Sequence, residues 1–212
     1  MQIFWHGFSC VRIETSSQDK EATLLTDPFC PETGLKLPRN LAPDIVALSH
    51  QDTSRFGLDQ LANEPFLIQD PGEYEVKGVF AYAIPMKDGN AKRPLMYRFE
   101  IEGVSLGFLG GVERVPTEEE LGGLENIDVL LLPVGGGKLL NAKQAREVIA
   151  SVEPRIVIPI SHHIEGISTD LGTVDAFCKE LGVCKRQDAN KLKVTKKDLP
   201  ADETVVVVLE HT

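Results

Sequence analysis

This chain of 212 residues has no Cys-x-x-Cys pair, no excess of basic residues and no apolar run approaching the length of a bilayer span. Each absence removes a class of function. The four cysteines, Cys10, Cys30, Cys178 and Cys184, are scattered, so they are expected to be reduced, mostly buried thiols rather than nucleophiles or metal ligands. Acidic residues outnumber basic ones by 32 to 22, and the net charge of −10 repels nucleic acid and anionic membrane surfaces. The opening MQIFWHGF lacks the basic segment and long apolar core of a signal peptide, which predicts a cytoplasmic protein with no membrane partner. The run Gly135-Gly136-Gly137 lacks the Lys-Ser/Thr of a P-loop, and a close-packing turn is favoured there over a phosphate cradle.

What the chain does have is the make-up of one α/β domain over residues 1–212, with 42% hydrophobic and 25% charged residues. Short β-branched or alternating runs predict strands at 3–5, 10–14, 23–26, 66–69, 129–133, 156–160 and 204–209, and hairpins bending at Lys77-Gly78 and Glu102-Gly103. Polar turns are expected at 16–21 and 88–90. Thr117 with Glu120, and Asn141 with Gln144, have the form of capping boxes, which predicts helices to about Leu124 and over 142–151. A further helix to Glu180 is expected to be capped by Thr169 or Asp170, and a short one is expected at 58–63.

The stretch PDIVALSHQDTSRFG, residues 43–57, organises the reading. The apolar run 45–48 suits a buried strand, and the chain then turns polar. Such a loop holds His50, Asp52 and Arg55 in fixed directions over a cleft, and in extended chain His50 and Asp52 project the same way. His50 and Asp52 are therefore candidate catalytic residues, and Asp27 is a third candidate outside this loop.

The same stretch resembles the T-H-x-H-x-D-H loop of the metallo-β-lactamase superfamily. Ser49 and His50 match its first two positions, while Asp52, Ser54 and Arg55 stand where the family places His, Asp and His. Gly7, Ser9 and Cys10, then Asp27-Pro28-Phe29, the block PGEYEVKGV and Val134-Gly135-Gly136 match further landmarks in order. The chain is thus similar to the small Zn-dependent hydrolase branch, with the L-ascorbate-6-phosphate lactonase-like proteins, and the resemblance implies a four-layer αββα sandwich. At the ligand positions it departs from the pattern: Met86, Lys87 and Asp88 follow Ile84-Pro85 without the usual His, Gly111 replaces the bridging Asp, Arg114 the next His, and Ser161 the last ligand.

A hydrolytic site needs about three protein ligands per metal and an open position for water. With those replacements no metal cofactor is expected, the residual candidates being His50, Asp52, His162 and His163. The alternative is one zinc or other divalent transition metal in an ester, lactone or phosphoester hydrolase. The favoured expectation is a former active-site cleft that binds a small, anionic molecule or a partner through Arg55, Arg114, His6 and Gly111. For His6 a strand-end histidine with a satisfied hydrogen bond is favoured over a ligand, and a homo-oligomer is the default assembly.

Overall fold

The computed structural model describes residues 1–15, 21–87, 94–167, 169–182, 186–201 and 203–212, with the backbone alone at 186 and 187. The turn expected at 88–90, most of that at 16–21, and Cys184 lie outside the described residues. The antiparallel strands β1 (Gln2–Gly7), β2 (Cys10–Glu14) and β3 (Thr23–Thr26) are extended in parallel by β4 (Ile45–Ala47) and β5 (Phe66–Ile68). The chain then crosses to a second sheet. There β6 (Gly72–Val76), β7 (Val79–Pro85), β8 (Leu95–Ile101) and β9 (Val104–Phe108) form a meander, which β10 (Val129–Pro133), β11 (Ile156–Ile160), β14 (Val205–Leu209) and β12 (Arg186–Ala189) continue in parallel. The short β13 (Leu192–Lys193) returns to pair with β1. The helices are α1 (Glu118–Leu121), α2 (Ala142–Val152) and α3 (Val174–Leu181).

Period-two side chains explain the pairing of the sheets. In β8, Leu95, Tyr97, Phe99 and Ile101 are buried and face the core shared by the two sheets, while Arg98 and Glu100 point outward. Strands β10 and β11, VLLLP and IVIPI, are buried throughout. One of their faces joins the inter-sheet core, and the other, with Leu130, Leu132 and Val157, packs beneath α2 and α3. The two sheets are those of the expected α/β sandwich.

On the opposite side, Cys10, Leu25, Val46 and Leu48 are covered by a loop and by single 3-10 turns at Pro31–Thr33, Thr53–Arg55 and Leu58–Gln60. The helix expected at 58–63 is one such turn. It goes no further because its groups bond the preceding loop instead: Ala62 N–H donates to Leu41 O at 2.9 Å, and the Gln60 and Asn63 side chains donate to Phe29 O and Pro43 O.

Both capping boxes form as expected, Thr117 with Glu120 and Asn141 with Gln144, although α1 gives way to a 3-10 turn at Gly122. The third helix is capped by Thr173, not Thr169 or Asp170, because the preceding residues are committed to loop bonds: Gly172 N–H donates to Gly135 O at 2.7 Å and His163 N–H to Gly172 O at 2.9 Å. Cys178 is disulfide-bonded, which corrects the expectation of reduced thiols throughout; Cys10 and Cys30 are free. Among the described residues no helix is long and apolar enough to cross a membrane.

Candidate functional site

Strand ends from both sheets meet at one end of the sandwich. Asp27 follows β3, Ser49 and His50 follow β4, Gly110 and Gly111 follow β9, Ser161 follows β11, and Phe8-Ser9 turns between β1 and β2. Among the described residues, every buried polar side chain except Glu120 and Asp128 lies here or at the adjoining His6 and His162. Burying so many polar groups is tolerable only if they are bonded. Ser49 N–H donates to Asp27 Oδ1 at 2.7 Å, and the Ser49 hydroxyl lies 3.0 Å from His50 Nδ1. Ser9 Oγ donates to Gly110 O at 2.8 Å, so across its 2.9 Å contact with Ser161 Oγ the proton comes from Ser161.

The backbone is strained at the same place. Phe8 and Ser161 adopt φ of 46° and 50°, a region that L residues other than Asn and Asp rarely enter, and Asp27 sits there too at 36°. Gly111 shows how closely the loops approach: a Cβ there would lie 2.5 Å from Ser49 Oγ and 2.6 Å from His50 Cε1. Only a residue without a side chain fits.

Burial governs the charges. The Asp27 carboxyl is pushed up to about 7 by loss of water, against the opposing pull of its Ser49 hydrogen bonds and of Arg55. His50 is depressed to about 4, first by burial and then by the Arg55 charge, with Asp52 opposing, so its imidazole is neutral at pH 7. Burial also lowers His6.

His50, Asp27 and Gly111 lie together around Ser49. Arg55 is exposed at the rim, and its field reaches both Asp27 and His50. Asp52 is half-buried and accepts from the Ser54 hydroxyl at 2.7 Å. Arg114 is engaged elsewhere: Nη1 and Nη2 grip the two Glu120 carboxylate oxygens at 2.8 Å each, with Glu120 also inside the α1 capping box. A guanidinium held this way is spoken for by its own chain. His6 is only half satisfied: Nδ1 lies 2.6 Å from Thr212 O, while the buried Nε2 has no hydrogen-bond partner among the described residues. His162 packs on Trp5 at 4.4 Å between ring centroids, with Nδ1 at 3.1 Å from His163 O, and His163 is exposed. Sequence reasoning passed over the Ser9–Ser161 pair, whose signal was a serine in the place of a family ligand.

These donors do not fit a dinuclear metal centre. Among the described residues no three His, Cys, Asp or Glu side chains are grouped to hold a metal ion, and the position of the bridging carboxylate is filled by the Gly111 backbone against Ser49 and His50.

Two large facing sheets with a polar cluster at the strand ends define the metallo-β-lactamase class of fold. The chain belongs to the β-lactamase superfamily, whose domain profile matches residues 2–161. It is 24% identical over 201 residues to a UPF0173 metal-dependent hydrolase of Lysinibacillus sphaericus, covering 77% of this chain and 86% of that one. A relative of the same name from Thermoplasma acidophilum is 22% identical, covering 77% and 84%. Among solved structures, a Thermotoga maritima protein assigned to the Zn-dependent hydrolases of the metallo-β-lactamase superfamily superposes with a TM-score of 0.79 at 29% identity, covering 99% of both chains.

Proposed function

We propose that this member of a metal-dependent hydrolase family has lost the dimetal centre and binds a small anionic molecule at the former active-site strand ends. The observation that carries the reading is the seat of Gly111, where a Cβ would come within 2.6 Å of both Ser49 Oγ and His50 Cε1. There is no room for a bridging carboxylate between them. Arg55 supplies the attraction for an anion, since Arg114 is taken up by Glu120. The ligand bonds to Arg55 at the rim, and the neutral His50 ring offers a hydrogen bond below.

Elemental analysis after zinc loading and dialysis tests the first half; less than about one tightly held ion per chain is expected, and two would overturn the reading. Titration with phosphate or small carboxylates tests the second half. Binding weakened in Arg55→Ala is expected, and equal affinity in both proteins would remove Arg55 from the site.

A second reading is an active hydrolase of an ester, lactone or phosphoester with a single zinc held by His50, Asp52 and His162 or His163. One observation favours it: the Ser49 contact fixes the His50 ring through Nδ1, which leaves Nε2 of a neutral imidazole for a metal. Chelator-sensitive hydrolysis would select it.

A further inference from the structure

We propose that the free edge of β6 is a docking site for an extended basic segment of a partner protein, which joins the eight-stranded sheet as a further strand. β6 ends that sheet, just as β5 ends the other. Its two-residue bend at Lys77-Gly78 closes on the pair Val76 and Val79, which therefore exchange both hydrogen bonds, as do Tyr74 with Ala81 and Gly72 with Ala83. Glu73 and Glu75, between them, turn their N–H and C=O groups to the open side. Another strand can meet those groups.

The edge is acidic and aromatic. Glu73 and Glu75 are exposed, and among the described residues neither has an ion-pair partner, while Lys77 at the bend is taken up by Asp44 at 2.6 Å. Phe80 lies between Glu75 and Glu100 in the ladder. It is 44% exposed and, with Phe66 of β5, is one of two large apolar side chains left in solvent among the described residues. Phe4 and Tyr82 each carry an arginine over the ring, and among the described residues Phe80 carries no cation. An aromatic face flanked by two carboxylates is a seat for one.

The pleat sets the pattern of the partner. Residues of an added strand opposite Glu73 and Glu75 project to the same outer face, two positions apart, so both are lysine or arginine, with stems extending toward Phe80. The residue between them projects inward beside the half-buried Tyr74, whose ring meets Phe66 edge-on at 6.1 Å, and is apolar. Charge decides against a second copy of this chain. Antiparallel self-pairing about Tyr74 sets each Glu73 opposite the other chain's Glu75, and like charges directly opposite destabilise a ladder. None of these residues belongs to the strand-end site.

The test is an amide NMR titration at low salt with the peptide acetyl-Thr-Val-Lys-Val-Lys-Val-Thr-amide. Its controls are the same peptide with glutamate for lysine and one with the two lysines adjacent. The alternating lysine peptide is expected to shift the Glu73, Glu75 and Phe80 amides saturably and to slow hydrogen exchange at Glu73 and Glu75, with each control binding at least about fivefold more weakly. Glu73→Gln with Glu75→Gln should lose about fivefold in affinity, while Glu147→Gln with Glu210→Gln, which removes the same charge from other exposed positions, should lose nothing. A control peptide binding as tightly as the alternating one, equal loss in both variants, or shifts that miss β6 would overturn the assignment. Sedimentation without peptide covers the remaining occupant: a dimer in which the Glu73 and Glu75 amides are already protected would give the edge to a second copy and would equally overturn it.

Discussion

Ser9 and Ser161 share a hydroxyl–hydroxyl hydrogen bond of 2.9 Å that ties the β1–β2 turn of one sheet to the end of β11 in the other. A second bond, Ser161 N–H to Phe8 O at 3.0 Å, runs beside it. The family resemblance implies a metal ligand at position 161; here hydrogen bonds join the sheets at that point.

Removing either hydroxyl breaks that tie. Ser161→Ala should cost about 1 kcal/mol, and Ser9→Ala about 1–2 kcal/mol because the buried Gly110 carbonyl also loses its donor. In a double-mutant cycle by urea denaturation the pair should couple by roughly 0.5–1 kcal/mol. Strictly additive losses would mean that the hydroxyl contact is incidental.

Asp27 makes stability depend on pH. Folding raises its carboxyl from 3.8 to about 7, so the folded chain holds a proton that the unfolded chain releases between those values. Its contribution is therefore full below about pH 4 and lost as pH rises through about 7, on the order of 2–4 kcal/mol. His50, depressed from 6.5 to about 4, imposes the opposite slope over much the same range. The diagnostic is thus a difference: Asp27→Asn, which keeps an oxygen for Ser49 N–H, should gain on wild type steadily from pH 4 to 7. A constant difference between the two proteins would show that the Asp27 carboxyl is not proton-linked to folding.

The frame of this fold was legible in the chain, and the wiring of its site was not. Capping boxes and hairpin bends depend on residues a few positions apart, so Thr117–Glu120, Asn141–Gln144 and Lys77-Gly78 could be read directly. Strands β12 and β13 escaped because RQDA and LK have neither apolar alternation nor length, and their pairing comes from β14 and β1. Position 114 shows the same limit at the site. Its cation was evident, but Glu120 as its partner follows from the geometry of the α1 cap, which also recruits Lys87 N–H.

Arg114 and Glu120 therefore behave as a structural pair. The Arg114 hydrogen bonds, outweighing burial and joined by the Lys87 and Thr117 amides, hold Glu120 down to about 2, and its side chain is only 1% exposed. Arg114→Ala should cost about 2–3 kcal/mol, since it strands a buried carboxylate, and the double change Arg114→Met with Glu120→Met should stay destabilised, because Glu120 also accepts from the Thr117 and Lys87 amides. Because Glu120 is depressed below its ordinary 4.5, the pair's contribution is present above that pH and fades as pH falls toward about 2. Thermal melts of the three proteins at pH 7 check the claim, and an Arg114→Ala protein as stable as wild type would refute it.

His50 separates the two functional readings. As a packed, neutral ring bonded to Ser49 and pressed by Gly111, it contributes contacts and one hydrogen bond, so His50→Asn should cost about 1–2 kcal/mol and leave metal content unchanged. As a ligand of a single zinc it would supply one of about three protein bonds, and its loss would remove the metal together with the stability that the metal adds. The residues present favour packing, because the family's ligand positions after His50 carry Asp52, whose carboxylate takes the Ser54 hydroxyl, and Arg55, which repels a cation. Melts of wild type and His50→Asn with and without chelator decide between them. Chelator should shift neither protein; a wild type that loses several degrees beside an indifferent His50→Asn would restore the metal and overturn the proposed anion site.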